Sequence, residues 1–292
     1  MRYRYCIKLT TRFLLAKVQL DSVLEAEFPL HMGSQLNDLP KSPSASYMKG
    51  LERIQAAKAP AQKEALHALA WIYHAKRKLK MGELLAAVGW TVHSVTEYKL
   101  ESIHLMEMCR GLAMHDGPSD TVQFIHGTVE TFFKQSFCPE PIKGANVLKA
   151  DIIDALEPFF LRNIDLAKAC LTYFSLDIFN KPCPDYESLS RRTRKYGFSI
   201  YAASHWADHI RGVAETDQGV QAATFKAFGP VGTRMSVLEI KGEVDGLTWS
   251  KSPPSSLIYY FVENRIPSML INLLSNDTSN MKLRYVLCSV TS

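Results

Sequence analysis

The sequence lacks closely spaced cysteines, long apolar runs and an apolar N-terminal segment. Its six cysteines include no C-x-x-C pair in 292 residues, so the pattern argues against a structural zinc site and against a disulfide scaffold. No apolar run reaches the roughly 18 residues that a membrane span requires, and residues 1–8 lack the apolar region of a secretory signal. We therefore expect a cytoplasmic protein whose cysteines are reduced and mostly pack as small core residues.

Two catalytic sequence motifs are also missing. No G-x-x-x-x-G-K-[ST] loop is present, so the backbone and the lysine that hold nucleoside triphosphates in P-loop enzymes are absent. No G-x-S-x-G turn is present either, which leaves a lipase or deacylase without its serine nucleophile. We therefore predict a protein that is not an enzyme and that uses no cofactor of its own.

The composition is that of an ordinary globular protein, with 47% hydrophobic and 22% charged residues. The formal net charge of +5 is uneven, because the stretch between Lys41 and Lys80 has nine Lys or Arg against two Glu. We call this stretch the basic stripe. Its lysines alternate with Ala and Leu at helical spacing, which favours a solvated helix face. A nucleic-acid surface is the alternative interpretation.

Apolar residues recur at helical spacing along most of the chain and predict a mainly α protein. The exception is a pair of short strands over 112–115 and 121–125, joined by an Asp-Gly turn that is typical of a hairpin. Gly, Ser and Pro are frequent in 229–254, which indicates a linker, and 255–275 has the pattern of two short helices with a turn at Asn264-Arg265. The other predicted helices cover 12–27, 45–58, a segment beginning near Pro60, 81–88, 100–110, 128–136, 147–156, 164–179, 198–211 and 215–228.

Several phrases between about residues 12 and 212 resemble, in the same order, the region after the nucleotide-binding module of fungal NACHT-type STAND NTPases with ankyrin repeats. Among them are Cys109-Arg-Gly-Leu112 and Val122-Gln-Phe-Ile-His-Gly-Thr-Val129. This module is often labelled the winged-helix domain of GPI inositol-deacylase, a label that transfers no chemistry. The remaining phrases are residues 13–22, 37–54, 69–84, 166–175 and 201–206.

The resemblance implies a winged-helix domain, made of helices and a small β-hairpin wing, followed by a helical arm and a degenerate ankyrin-like helix pair. Its implied function is that of a non-catalytic regulatory and protein-interaction module whose partner is a NACHT-type module, and the chain would be a truncated family member. The implied division is a remnant of the NACHT-type module with a linker (1–60), the winged helix (61–137), the arm (138–228), a linker (229–254) and the ankyrin-like segment with a tail (255–292).

The resemblance also singles out His126. In related STAND proteins a histidine between the wing strand and the next helix contacts the β-phosphate of bound ADP, and Gly127 replaces the aspartate that follows it in plant relatives. A hydrogen-bond donor beside a phosphate is sound chemistry. His126 is therefore the candidate nucleotide-binding residue if the chain pairs with a NACHT module. The alternative is a histidine that caps or packs at a strand–helix junction.

Three further features are interpreted as packing or as surface. His205 and His209 lie four residues apart on one predicted helix, but no third ligand is near them in sequence, so no metal is predicted. The basic run from Arg191 to Lys195 is expected to be a solvated face ahead of a helix. The third helix of the winged-helix order, residues 98–110, is largely apolar with two glutamates, which disfavours DNA binding. Aromatic residues expected in the core are Trp71, Tyr73, Tyr173, Phe174, Tyr201 and Trp206.

Overall fold

The computed structural model describes residues 42–97, 99–137, 150–244 and 257–276. These residues are mainly helical and include one small three-stranded antiparallel sheet. They divide into two compact units, the first with residues up to 88 and 99–161, the second with 89–98 and the residues from 162 onwards. The predicted helix over 12–27 lies outside the described residues. None of the described helices combines the length and the apolar character that a bilayer crossing requires.

The first unit contains the sheet and the helices around it. Helix α3 crosses the division, since its residues up to Val88 belong to the first unit and those from Gly89 to the second. In chain order the elements are α1 Pro43–Gln55, α2 Ala59–His74, β1 Leu79–Lys80, α3 Met81–His93, α4 Ser102–Met108, β2 Ala113–Asp116, β3 Thr121–Phe124, α5 Gly127–Phe137, α6 Ala150–Leu156 and a 3₁₀ turn Glu157–Phe159.

Helix α1 of the first unit begins where the sequence offers a capping side chain. Ser42 Oγ accepts the Ala45 N–H at 3.2 Å, and Pro43 occupies the first turn, where its missing N–H costs nothing. Helix α1 then buries Tyr47, Leu51 and Ile54 on one face. The prediction of a helix over 45–58 is thus confirmed, with both ends shifted by two or three residues towards the N-terminus.

The predicted hairpin is confirmed, and a third strand joins it. Strands β2 and β3 pair antiparallel from Ala113↔Phe124 to Asp116↔Thr121, and β1 pairs with the other side of β3 through Leu79↔Val122. The sheet order is therefore β1-β3-β2. Strand β1 was not predicted because two residues are too short to show the alternating pattern of a strand.

The second unit is helical throughout its described residues. Compared with the predictions, the helix expected over 164–179 ends early and is followed by a 3₁₀ turn, and two unpredicted helices begin at Tyr186 and Val231. Its elements are α7 Asn163–Phe174, a 3₁₀ turn Asp177–Phe179, α8 Tyr186–Lys195, α9 Phe198–Ile210, a 3₁₀ turn Val213–Thr216, α10 Gln218–Phe228, α11 Val231–Val244, α12 Leu257–Glu263 and α13 Pro267–Asn276.

Large aromatic side chains form the core of the second unit. Tyr173 and Phe198 meet edge to face at 5.1 Å, and Trp206 lies 4.3 Å from Phe228 and stacks on Tyr260 at 5.7 Å between ring centroids. Five of the six aromatics that the sequence predicts to be core are fully buried. The exception is Tyr73 of the first unit, which is half-buried.

The linker predicted over 229–254 is wrong for its first part, where helix α11 runs over Val231–Val244. The small residues that suggested a linker serve close packing instead. A Cβ on Gly232 would lie 1.8 Å from the Asn180 carbonyl oxygen, and the buried Ser236 Oγ donates to the Lys181 carbonyl at 2.8 Å. Residues 245–256 lie outside the described ones.

The two short helices predicted over 255–275 are present as α12 and α13, with Arg265 in the turn at a φ of 54°. They pack within the second unit and do not stand apart from it. Tyr260 of α12 lies in the aromatic core, and the buried Glu215 carboxylate accepts the Ser268 N–H near the start of α13 at 3.2 Å. Helices α12 and α13 are therefore part of the second compact unit.

The surroundings of Gly232 and Gly82 predict that alanine at these two helical positions has opposite effects on stability. Gly232→Ala should lower the free energy of unfolding by about 1–3 kcal/mol, because its Cβ would collide with the Asn180 backbone. Gly82→Ala is the matched control. It should raise stability by about 0.5–1 kcal/mol, since Gly82 lies in the first turn of α3 with nothing within 4 Å of the added carbon. Urea denaturation followed by circular dichroism measures both, and a stabilising Gly232→Ala would contradict the packing.

Candidate functional site

His126 lies between the end of β3 and the start of α5, at the junction that the sequence predicts. Its Nδ1 accepts the backbone N–H of Thr128 at 3.2 Å. The side chain therefore caps the free N–H groups of the first turn of α5, a role usually filled by Ser, Thr, Asp or Asn. The capping interpretation of His126 is confirmed by this geometry.

A chain of hydrogen bonds connects His126 to α1. The Thr128 hydroxyl lies 2.8 Å from His126 Nδ1 and 2.7 Å from the Tyr47 hydroxyl. Tyr47 is buried, with its ring edge-on to Phe132 at 5.6 Å. Burial raises the pKa of the Tyr47 phenol, and its hydrogen bond with Thr128 opposes this in part, so the phenol stays protonated at neutral pH. His126 is therefore held from two elements of the first unit.

The second ring nitrogen of His126 is available for another molecule. In the part of the chain that the structure describes, Nε2 has no hydrogen-bond partner, and it is not among the buried polar atoms that lack one. Nε2 is therefore not fully buried, and His126 is a half-buried residue at the start of an 11-residue helix. Helix N-termini attract anions, since their N–H groups and the helix dipole carry partial positive charge there. The arrangement can thus hold an anionic group.

The basic stripe is less uniform than its sequence suggests. Lys58, Lys78 and Lys80 are exposed, as a solvated face requires. Arg77 instead forms a bidentate ion pair with the buried Glu83, at 2.7 and 2.6 Å. Glu83 also accepts the Lys80 N–H at 2.9 Å. The residue before α3 is Lys80, whose side chain cannot accept a hydrogen bond and so cannot cap the helix. The Glu83 carboxylate takes over this capping role.

The helix that would read DNA in a winged-helix protein presents an unsuitable surface. Of the residues in and next to α4, Glu101, Ile103, His104 and Glu107 are exposed. Two carboxylates would repel phosphate, and Ile103, which is 60% exposed, offers no hydrogen bond to a base edge. The helix spans Ser102–Met108, which is shorter than the predicted 100–110.

The basic run from Arg191 to Lys195 lies ahead of α9, as predicted, and is itself the last part of a helix that was not predicted, α8. Asp185 begins α8 by accepting the Ser188 N–H at 2.7 Å. Exposed members of the run pair within the protein, since Arg191 contacts Glu187 and Lys195 contacts Glu97, both at 3.2 Å. The run is therefore a helix face with internal ion pairs.

His209 is a core residue, as expected from its apolar surroundings. Its ring is fully buried, with Nε2 2.8 Å from the Tyr201 hydroxyl and Nδ1 2.8 Å from the Asn163 side-chain oxygen. His205 is half-buried and pairs with Asp208 at 2.8 Å. Both nitrogens of His209 are thus occupied by protein groups. No cluster of three or more His, Cys, Asp or Glu that could hold a metal ion occurs among the described residues.

The described cysteines are buried free thiols. Cys109, Cys170 and Cys183 form no disulfide. Burial raises the pKa of Cys109 to about 12 and raises that of Cys170 further. Since the thiolate is the reactive form, these two residues are packing groups and not nucleophiles. The expectation of small core cysteines is confirmed for these three.

Comparison of the chain with protein-family models, with curated proteins and with solved structures found no match.

Sequence reasoning found His126 but missed the two residues that hold it. Thr128 carries a local signal, because a hydroxyl two residues after a helix-capping side chain is close enough to contact it. Tyr47 carries none, since it is 81 residues from Thr128 along the chain. Only the packing of α1 brings its hydroxyl to the junction.

The ion pair at the start of α3 predicts a stability effect. Glu83→Gln should lower the free energy of unfolding by about 1–3 kcal/mol, because it removes a charged hydrogen-bond partner from the half-exposed Arg77. Glu107→Gln, on the exposed face of α4, serves as the control and should change stability by about 0.5 kcal/mol or less. Equal effects of the two substitutions in urea denaturation would show that the pair contributes nothing.

The buried side chain of His209 leads to a second prediction about stability. Tyr201→Phe should cost about 1–3 kcal/mol, because it removes the buried hydrogen bond between the Tyr201 hydroxyl and His209 Nε2. Tyr186→Phe removes a hydroxyl from a residue that is 63% exposed and should be nearly neutral. Thermal unfolding of the two variants, compared with the unmodified chain, tests this difference.

Proposed function

We propose that this chain is a non-catalytic regulatory and protein-interaction module of a NACHT- or STAND-type protein. In this proposal residues 61–137 form the winged helix, residues 138–228 form the helical arm, and α12 and α13 are the degenerate ankyrin-like pair. The partner is a NACHT-type nucleotide-binding module, and the setting is the cytoplasm.

The connectivity of the first unit supports the winged helix. Helix α2, strand β1, helices α3 and α4 and the hairpin β2–β3 follow one another in the order of that fold. The sheet order β1-β3-β2 places the first strand beside the last, as the winged helix requires. This support concerns the fold, and function has to come from the site itself.

The main support for this function is the hydrogen bonding of the two ring nitrogens of His126. Its Nδ1 is used to cap α5, while its Nε2 is not fully buried and has no partner among the described residues. A ring nitrogen without a protein partner beside a helix N-terminus suits the phosphate of a nucleotide held by another module. This chain would supply only the His126 contact to the phosphate. Its affinity for the NACHT-type module would therefore depend on whether that module holds a nucleotide.

The experiment is association with a NACHT-type module from the same genome, loaded with ADP or empty, measured by calorimetry and size-exclusion chromatography. We expect micromolar binding that is tighter with ADP. His126→Asn should remove this difference, because the Asn oxygen can still cap α5 but nothing reaches the position of Nε2. His126→Gln keeps a donor near that position and should retain part of the difference.

These variants separate the nucleotide contact from folding. Because Asn preserves the cap, loss of the ADP effect in a folded His126→Asn protein would support the proposal. Absence of association at micromolar concentration, with or without ADP, would refute it.

The alternative function, nucleic-acid binding through the basic stripe, makes a different prediction. Exposed lysines such as Lys78 and Lys80 would release counterions from a duplex, so affinity would fall steeply between 50 and 200 mM salt. The acidic face of α4 disfavours this outcome. Tight, salt-sensitive binding of a duplex oligonucleotide would favour the alternative over the proposed module.

A further inference from the structure

The hydrogen bonds at His126 determine which ring nitrogen carries the proton. The Thr128 peptide N–H points at Nδ1 across 3.2 Å. The hydrogen of a peptide group lies in the peptide plane and cannot rotate away, so Nδ1 must offer its lone pair. A neutral imidazole that accepts at Nδ1 carries its hydrogen on Nε2. The backbone alone therefore selects one of the two tautomers.

The hydroxyl groups of Thr128 and Tyr47 reinforce this choice. Only 2.8 Å separates Thr128 Oγ1 from His126 Nδ1, a distance that requires a hydrogen between the two atoms. Since Nδ1 has none in this tautomer, Thr128 donates it, and its hydroxyl and its peptide N–H share the single lone pair of Nδ1. Thr128 then accepts from the Tyr47 hydroxyl at 2.7 Å, so the donors run in one direction, from Tyr47 through Thr128 to His126.

We propose that Thr128, oriented by Tyr47, is a positioning residue that holds His126 with its proton on Nε2, so that the site offers a hydrogen-bond donor and takes its ligand through an acceptor oxygen. Phosphate and carboxylate oxygens share this chemistry, whereas a ligand that presents an amine or an amide N–H is excluded. That a ligand is met at this position rests on the proposed function. The tautomer is a property of the chain alone.

The second unit provides an internal contrast. The Asn163 amide nitrogen donates to the His209 carbonyl at 2.8 Å, which directs the Asn163 oxygen to His209 Nδ1. His209 Nδ1 must therefore carry the hydrogen, and Tyr201 donates to its Nε2. The two histidines are thus expected in opposite tautomers within one chain, which gives a reference in the same measurement.

The test is nitrogen NMR of the histidine side chains in the full chain, at a pH where the imidazoles are neutral. His126 should show an unprotonated Nδ1 and a protonated Nε2, and His209 should show the reverse pattern. The His126→Gln variant assigns the His126 signals by their disappearance. A protonated Nδ1 at His126, or shifts averaged between the two tautomers, would overturn the proposal.

Substitutions at the two hydroxyls separate positioning from mere folding. Thr128→Val keeps the branched side chain but removes the donor, and should lower the ratio of the Nε2–H to the Nδ1–H form about fivefold, the equivalent of one hydrogen bond. Thr128→Ser restores a hydroxyl and should restore the ratio. Tyr47→Phe keeps the ring that packs on Phe132 and should move the ratio in the same direction as Thr128→Val, by less.

Each outcome bears on the proposal. If Thr128→Val leaves the His126 signals unchanged, Thr128 does not position the ring. If only Tyr47→Phe leaves them unchanged, Tyr47 has no part in the positioning. Because these measurements need no partner and no ligand, a confirmed tautomer together with no association with a NACHT module would refute the proposed function alone.

Discussion

The ends of helices leave backbone N–H and C=O groups without partners, and in this protein several of the side chains that cap those ends also contact a second segment of the chain. Glu83 caps α3 and holds Arg77. Glu215 accepts from the Gly212 and Ser268 N–H groups, and so joins the turn after α9 to the start of α13. Local helix stability and tertiary packing are therefore supplied by the same groups.

Unpaired carbonyl groups at a helix C-terminus also explain why Arg234 is buried in the second unit. Arg234 is 3% exposed, and it donates to the carbonyls of Phe228 and Gly229 at the end of α10. A guanidinium at a helix C-terminus compensates the negative end of the helix dipole. Burial lowers the pKa of Arg234, because it removes the cation from water, and the nearby Tyr260 opposes this shift in part. This contact fixes α11 against α10.

The candidate site is one more case of a cap with a second purpose. Through one nitrogen His126 closes the first turn of α5, and through Thr128 it is tied to Tyr47 of α1. The cap uses Nδ1 and orients the ring, which leaves Nε2 without a partner among the described residues. Packing at this junction is therefore compatible with the proposed phosphate contact, because the two would use different ring nitrogens.

The sequence by itself determined the helical class, the β2–β3 hairpin and the position of His126 at a strand–helix junction, because periodicity, an Asp-Gly turn and local order are short-range signals. Only the tertiary structure decided the role of residues whose partners are distant. Gly232 and Ser236 looked like linker residues until the Asn180–Lys181 backbone was found packed against them. Tyr47 gave no sign of its contact, since burial of α1 and not sequence proximity brings its hydroxyl to Thr128.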